Sequence, residues 1–186
     1  MVTLLSDPLF QLILALAFAA LFGIAAAHKW AERVRFGETL RAYGIAPSVA
    51  SIVTSLLASM ETLVSAGLLW PDTRQVSAGI AAGLLIGYGA VLARALHQGR
   101  NIADCGCSLG APQPVQPVLV FRNLALASVA ALLLVAPAWR PLGNVDALIA
   151  AAALVTIGLL YSVLNTLLTH QPRTNEIAAD GGHAHG

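Results

Sequence analysis

The sequence predicts an all-α protein, a polytopic transmembrane helix bundle of four to five spans with a Cys-x-Cys loop between the third and the fourth. Of its 186 residues, 58% are hydrophobic and only 10% are charged, whereas soluble domains carry about 25% charged residues. The apolar residues form long stretches, each close to the roughly 20 residues with which a helix crosses about 30 Å of hydrocarbon. A backbone in lipid must satisfy its own hydrogen bonds, and the alternating segments of a barrel are not seen, so helices are expected.

Five apolar stretches define the expected spans, and they cover residues 9–27, 45–70, 76–97, 118–138 and 145–168. The first is expected to be a retained anchor, because the basic residues follow it, the reverse of a cleaved signal peptide. The fourth carries Arg122 and Asn123 near its start. It could begin as an interfacial or re-entrant turn, which makes four crossings the alternative to five. The chain is expected to divide into a membrane domain, 1–169, and a polar flexible tail, 170–186.

The distribution of basic residues predicts an orientation. Residues 28–44 form a basic, amphipathic connection that suits the lipid headgroup layer. With five spans, eight basic residues share one side of the membrane with this connection: Lys29, Arg33, Arg35, Arg41, Arg94, Arg100, Arg122 and Arg173. Only Arg74 and Arg140 fall on the other side. The positive-inside rule therefore predicts an external N-terminus and a Cys-x-Cys loop at the cytoplasmic face.

Glu61 is the single charged residue inside the second span, and an ionisable group at that depth is a functional candidate. The rise per residue of a helix separates Glu61 and Arg94 in depth by roughly 13 Å, so they are not expected to pair. Glu61 is expected to be protonated, or to bond a hydroxyl group such as that of Tyr88. It would serve as a polar clip between helices, or in a proton or quinone function.

Small residues recur at four-residue spacing in two neighbouring spans. In the third span they are Gly79, Gly83 and Gly87, and in the second they are Ser51, Ser55 and Ser59. Residues at this spacing share a helix face and allow another helix to approach closely. The two faces are expected to pack on each other, with a dimer interface as the alternative.

The segment that carries the chemistry is the loop after the third span. Cys105 and Cys107 can close a very small disulfide ring, with Gly106 supplying the backbone freedom. Strain makes such a disulfide labile and competent for exchange. Nearby cations lower the pKa of a thiol, and Arg100 and Arg122 flank the pair, while Asp104 opposes them or helps to move a proton.

Two other interpretations of the cysteines remain open. A Cys-x-Cys pair can hold a soft metal such as Cu(I), and His97 could add a ligand toward zinc. The cysteines could also be inert buried thiols. No metal ligand set beyond this and no resident cofactor is predicted, and a quinone remains possible. The net charge of +1 gives no indication of nucleic acid.

These residues resemble the methylamine utilisation protein MauE family, within the DoxX-like group of small membrane proteins. The resemblance covers about residues 25–136. It rests on Ala27-His28-Lys29, Phe36, Tyr43, Pro47, Glu61, Gly67, Arg100, the run Asp104-Cys105-Gly106-Cys107 and the pair Arg122-Asn123. Ser108-Leu109-Gly110 stands where members usually have Phe-Gly.

The resemblance implies a multi-pass protein of the bacterial inner membrane that acts in the maturation of methylamine dehydrogenase. By resemblance, Cys105 and Cys107 would exchange disulfides with a thioredoxin-like partner of the MauD type, or with the exported, disulfide-rich small subunit of the dehydrogenase. Arg100 and Arg122 would tune the cysteines. Whether such a relay counts as an enzyme is open. The alternatives are a metal-handling or transport protein and a non-catalytic membrane scaffold.

Overall fold

The computed structural model describes residues 5–99 and 116–181, with side chains described as far as Leu164 and at Thr166. Six α-helices lie in these ranges: α1 (Pro8–Ala31), α2 (Arg33–Ala42), α3 (Pro47–Leu69), α4 (Arg74–His97), α5 (Pro117–Ala131) and α6 (Asn144–Gly181). A 3₁₀ turn, Leu132–Leu134, continues α5.

Five helical stretches are long and apolar enough to cross a membrane: Pro8–Ala31, Pro47–Leu69, Arg74–His97, Pro117–Leu134 and Asn144–Leu164. The predicted helical membrane fold is therefore confirmed. The fourth stretch is unbroken helix through Arg122 and Asn123, which favours five spans over four. It ends at Leu134 instead of residue 138. Pro137 accounts for the early end, since proline donates no backbone hydrogen bond and disfavours a helical residue before it.

The start of α1 is set by Asp7 and Pro8. The Asp7 carboxylate accepts hydrogen bonds from the backbone N–H groups of Leu9 and Phe10, at 2.8 and 3.4 Å. Pro8 fits the first helical position because its missing N–H would have no partner there. The helix then continues past Ala27, where the span was predicted to end. It breaks only at Glu32, and α2 follows directly.

Small and aromatic side chains from α1, α3, α4, α5 and the 3₁₀ turn form the main core. Its fully packed members are Ala15, Phe18, Ala19, Phe22, Val64, Leu68, Ala78, Ala81, Leu85, Ala127, Ala130 and Leu133. Alanine-rich faces let membrane helices pack closely, where dispersion replaces the hydrophobic effect as the driving force.

The chain separates after Gly143 into the α1–α5 bundle and a second unit that holds α6. Within α6, the hydroxyl groups of Thr156, Ser162 and Thr166 donate to the carbonyls of Ala152, Gly158 and Ser162. This pairing satisfies the hydroxyl groups within the helix itself. The helix continues to Gly181, beyond the expected end of the fifth span. The flexible tail from residue 170 stays a prediction.

Candidate functional site: a buried ion pair beside a membrane cavity

Lys29 lies inside the bundle, and not in the headgroup layer as predicted. The buried face of α1 advances in steps of three or four residues and consists of Gln11, Ala15, Phe18, Ala19, Phe22, Ala26 and Lys29. Lys29 is therefore the last member of the face that packs on the core, and only 3% of its surface is exposed. The prediction was wrong because it ended the helix at the first charged residues, although the helical periodicity runs through them.

The Lys29 ammonium group pairs with the carboxylate of Glu61 on α3. The distance from Lys29 Nζ to Glu61 Oε1 is 2.8 Å. The Tyr88 hydroxyl on α4 donates to the same oxygen at 2.6 Å. The predicted bond between Tyr88 and Glu61 is thus confirmed, and Lys29 is the partner that was not predicted. Three helices meet at one carboxylate oxygen, as expected of a polar clip.

The Lys29–Glu61 pair is buried and flanked by aromatic rings, so breaking it would cost free energy of folding. Both side chains are almost fully buried, at 4% and 1% exposure. Lys29 Nζ also lies 5.1 Å from the centre of the Phe36 ring and 5.6 Å from that of Tyr88, within cation–π range. Within the described part of the chain, Glu61 Oε2 is buried without a hydrogen-bond partner. Removing either charge would leave the other unpaired in a site that water does not solvate.

Two further hydrogen bonds join α1 to α3 along the contact between these helices, here called the α1–α3 seam. The Trp30 indole N–H donates to Thr62 Oγ1 at 3.3 Å, and the Ser65 hydroxyl donates to the Ala19 carbonyl at 2.7 Å. A Cβ atom added to Gly23 would lie 3.0 Å from Ser65 Oγ, so the glycine is needed for this approach. These bonds fix the position of Lys29 relative to Glu61.

A cavity of about 720 Å³ opens on the other side of Lys29. Its walls come from α1 to α4, are mostly apolar, and include Lys29 and Tyr88, with Arg94 and Gln98 at one end. Gly83 and Gly87 belong to the wall, and no described atom lies within 4 Å of a Cβ added to either. The expected close packing of this glycine face on the serines of the second span is therefore wrong. The missing side chains leave room instead.

The ends of α4 and α5 bring together the two sides of the predicted dithiol segment. A Cβ added to Gly89 would lie 3.7 Å from Asn123 Cβ, and Leu92 and Leu119 are both buried in one cluster. Of the predicted site residues, Arg100, Asp104, Cys105 and Cys107 lie outside the described residues. In the described ranges, no three His, Cys, Asp or Glu side chains are grouped as metal ligands.

Arg122, the remaining predicted site residue, lies in the second turn of α5. Its Nε and one terminal nitrogen are buried and have no hydrogen-bond partner among the residues that the structure describes. A guanidinium is always charged and donates in a fixed fork. Arg122 therefore offers two directed donors on the helix that follows the Cys-x-Cys segment. The structure does not bring it together with Glu61 in any described interaction.

Comparison with known proteins assigns the family. The model of the family described as methylamine utilisation protein MauE matches residues 7–136. A methylamine utilization protein MauE of Paracoccus denitrificans is 36% identical over 132 residues, which cover 70% of this chain and 71% of the relative. Its counterpart from Paracoccus versutus is 33% identical over 181 residues, covering 93% of this chain and 96% of the relative. No solved structure gives a significant match. The chain therefore belongs to the methylamine utilisation protein MauE family.

Proposed function

We propose that this chain is a membrane factor of the bacterial inner membrane that supports the maturation of methylamine dehydrogenase by thiol–disulfide exchange. The observation that carries the proposal is membership of the MauE family together with the Asp104-Cys105-Gly106-Cys107 run. The exchange partner is a thioredoxin-like protein of the MauD type or the disulfide-rich small subunit of the dehydrogenase. In this scheme the lipid bilayer is the solvent of the five apolar helices.

The proposed step moves two electrons between two pairs of sulfur atoms. A thiolate of Cys105 or Cys107 attacks one sulfur of the partner's disulfide, which forms a mixed disulfide and releases the partner's other sulfur as a thiolate. The second cysteine of the pair then attacks its neighbour, closes the Cys105–Cys107 disulfide and releases the partner's second thiolate. The partner is reduced and this chain is oxidised, and the reverse sequence oxidises the partner.

The buried donors of Arg122 support this chemistry. A cation with buried donors that have no partner among the described residues favours any nearby thiolate over the thiol, which lowers the thiol pKa and speeds attack at neutral pH. Arg100 would act in the same way from within the loop, and Asp104 would exchange the proton. The contact between Gly89 and Asn123 joins α4 to α5 one residue away from Arg122.

The side of the membrane on which the cysteines lie tests the proposal. Three cations are poor topology signals, since Lys29 is paired inside the bundle, Arg94 lines the cavity and Arg122 has buried donors. Setting them aside leaves Arg33, Arg35, Arg41, Arg100 and Arg173 against Arg74 and Arg140, so the bias still favours the cytoplasmic face. Exchange with an exported client instead requires the outer face.

The experiment is to label intact and permeabilised spheroplasts with a membrane-impermeant maleimide, with and without prior reduction. Labelling of Cys105 and Cys107 in intact spheroplasts only after reduction would mean an outward-facing disulfide, which supports exchange with an exported client and overturns the orientation predicted from the basic residues. Labelling only after permeabilisation, without any need for reductant, would rule out direct exchange with an exported client. The Cys105→Ser/Cys107→Ser variant gives the background, because these are the only two cysteines of the chain.

A second experiment separates exchange from scaffolding and metal handling. The Cys105→Ser/Cys107→Ser variant is expected to lower the yield of active methylamine dehydrogenase at least tenfold without lowering its own level in the membrane. An unchanged yield would contradict the proposal and favour a scaffold. A stoichiometric metal that survives purification and is lost in Cys107→Ser would favour metal handling instead.

A further inference from the structure

The cavity between α1, α2, α3 and α4 has the size and shape of a ligand site. Its volume of about 720 Å³ lies in the range of roughly 300 to 1,000 Å³ that small-molecule sites occupy. Its wall follows α4 from Ile80 to Ala95, about 22 Å along the helix axis at 1.5 Å per residue, and continues to Gln98 just past the end of the helix. A space that is long for its volume fits a chain-like molecule better than a compact one.

The wall lies at the surface of the bundle, so a molecule in the bilayer can reach it. Met60, Ile80 and Val91 line the cavity and are each at least 40% exposed. Gly83 and Gly87 between them supply no side chain to fill the space. An apolar chain would therefore run along α4 past these glycines.

Lys29 lies partway along this mostly apolar space, whose other polar lining side chains are Thr39, Tyr43, Tyr88, Arg94 and Gln98. The Lys29 ammonium has three N–H donors, and Glu61 Oε1 is its one acceptor among the described residues. Lys29 lines the cavity together with Phe36 and Tyr88, the two rings that flank its ammonium group. A bound molecule is thus offered a donor between two aromatic rings.

The neutral Lys29–Glu61 pair favours an uncharged head group in the ligand that binds beside it. Lys29 and Glu61 neutralise each other at 2.8 Å, so a charged head group beside them would bring an uncompensated charge into a buried site. A carbonyl oxygen can accept from the ammonium group without disturbing this balance. A lipid phosphate would instead be matched by Arg94, which is about 9 Å further along α4 than Tyr88.

We propose that the cavity binds a membrane-soluble quinone. An uncharged planar ring lies beside Phe36 and Tyr88 with a carbonyl oxygen accepting from Lys29, and the isoprenoid chain follows the wall at Gly83 and Gly87. The proposal concerns binding and does not depend on the thiol exchange proposed above. It assigns Lys29 a second function beyond holding Glu61.

The test uses the purified full-length protein in phosphatidylcholine nanodiscs, with tritiated decylubiquinone as the probe and empty nanodiscs to subtract partition into lipid. Wild-type protein is expected to bind about one quinone per chain saturably. The Gly83→Leu/Gly87→Leu variant fills the cavity, and it should fold because both glycines have helical backbone and open space. It is expected to bind at least tenfold more weakly.

Two further variants complete the test. Gly158→Leu on α6 is the matched control, because it also adds a leucine where nothing lies within 4 Å, and it should keep the wild-type dissociation constant within twofold. Lys29→Met/Glu61→Gln removes the donor without leaving a buried charge and should also weaken binding at least tenfold. The proposal is overturned if wild type shows no saturable binding of decylubiquinone, or if the Gly83→Leu/Gly87→Leu variant binds it as tightly as wild type does. It is also overturned if decylubiquinone does not displace phospholipid bound to the wild-type protein.

Discussion

The α1–α3 seam and the α3–α4 pair are built from similar residues and end in opposite arrangements. Along α1–α3, Gly23 admits Ser65, whose hydroxyl closes the seam by bonding the Ala19 carbonyl. Between α3 and α4, no described atom lies within 4 Å of a Cβ added to Gly83 or Gly87, and both glycines border a cavity. Small residues in a membrane helix thus permit close approach without causing it. At the α1–α3 seam, the hydrogen bond of Ser65 to the Ala19 carbonyl accompanies the close approach.

The largest expected effect comes from breaking the closed seam at its ion pair. Lys29→Met would leave the Glu61 carboxylate buried beside one remaining donor, the Tyr88 hydroxyl. Removing one partner of a buried pair costs about 3 to 5 kcal/mol, so the free energy of unfolding should fall by that amount. Titration of the purified protein in mixed micelles with sodium dodecyl sulfate, followed by circular dichroism, measures the change.

The control for this variant is Lys29→Met/Glu61→Gln, which removes both charges. Neutral replacement of a buried pair is often tolerated, and the double variant should recover most of the lost stability. If the single and double variants were equally unstable, the loss would come from packing, and the ion pair would not be what holds α1 to α3.

The next effect compares two glycines of α4 that lie two residues apart and face different neighbours. Gly89 packs on α5, where an added Cβ would meet Asn123, Leu124 and Val120 within 4.0 Å. Gly87 faces the cavity. Gly89→Leu should therefore lower stability by about 1 to 3 kcal/mol through overpacking, whereas Gly87→Leu should leave it unchanged or raise it by up to about 1 kcal/mol, because leucine is a better helix former than glycine.

The midpoint of unfolding of the two variants, measured side by side in the same detergent, checks this difference. Because both substitutions are Gly→Leu in one helix, differences in helix propensity cancel. Equal loss in both variants would mean that the helices approach each other at Gly87 as closely as at Gly89, which would contradict the cavity.

A smaller effect tests the tight end of the α3–α4 pair, next to the turn that joins them. A Cβ added to Gly67 would collide with Ser77 Oγ, so Gly67→Ala should force the serine into a poorer rotamer at about 1 kcal/mol. In a Ser77→Ala background the collision with Oγ is gone and the closest remaining contact is the one at 3.2 Å with the Cβ of residue 77, so the same change should cost less, and the better helix propensity of alanine offsets part of that cost. A double-mutant cycle on the unfolding free energies measures the coupling.

The five helices, Glu61 and its bond to Tyr88 could all be predicted, because length, hydropathy and depth along a helix are properties of the sequence. Lys29 could not be placed by charge alone, since a lysine at a helix end is equally compatible with the headgroup layer. The step from Phe22 to Ala26 to Lys29 was the available signal. The cavity was beyond prediction, because a glycine pattern does not state whether a neighbouring helix fills the space it leaves.

The smallest expected effect lies at the N-terminus of α1, away from both the seam and the cavity. The backbone N–H of Leu9 holds the pKa of Asp7 below its ordinary value of 3.8, aided by Phe10 N–H and by Arg140 at 3.4 Å. Because the folded pKa is the lower one, the ionised cap stabilises the protein above about pH 3.8, and this contribution is lost as pH falls through the folded pKa. Asp7→Asn keeps a capping side chain without the charge. The melting temperature of this variant should lie slightly below that of wild type at pH 7, and the two should become equal at a pH where Asp7 is protonated. A difference in melting temperature that persists at the lowest pH would assign the effect to cap geometry instead of charge.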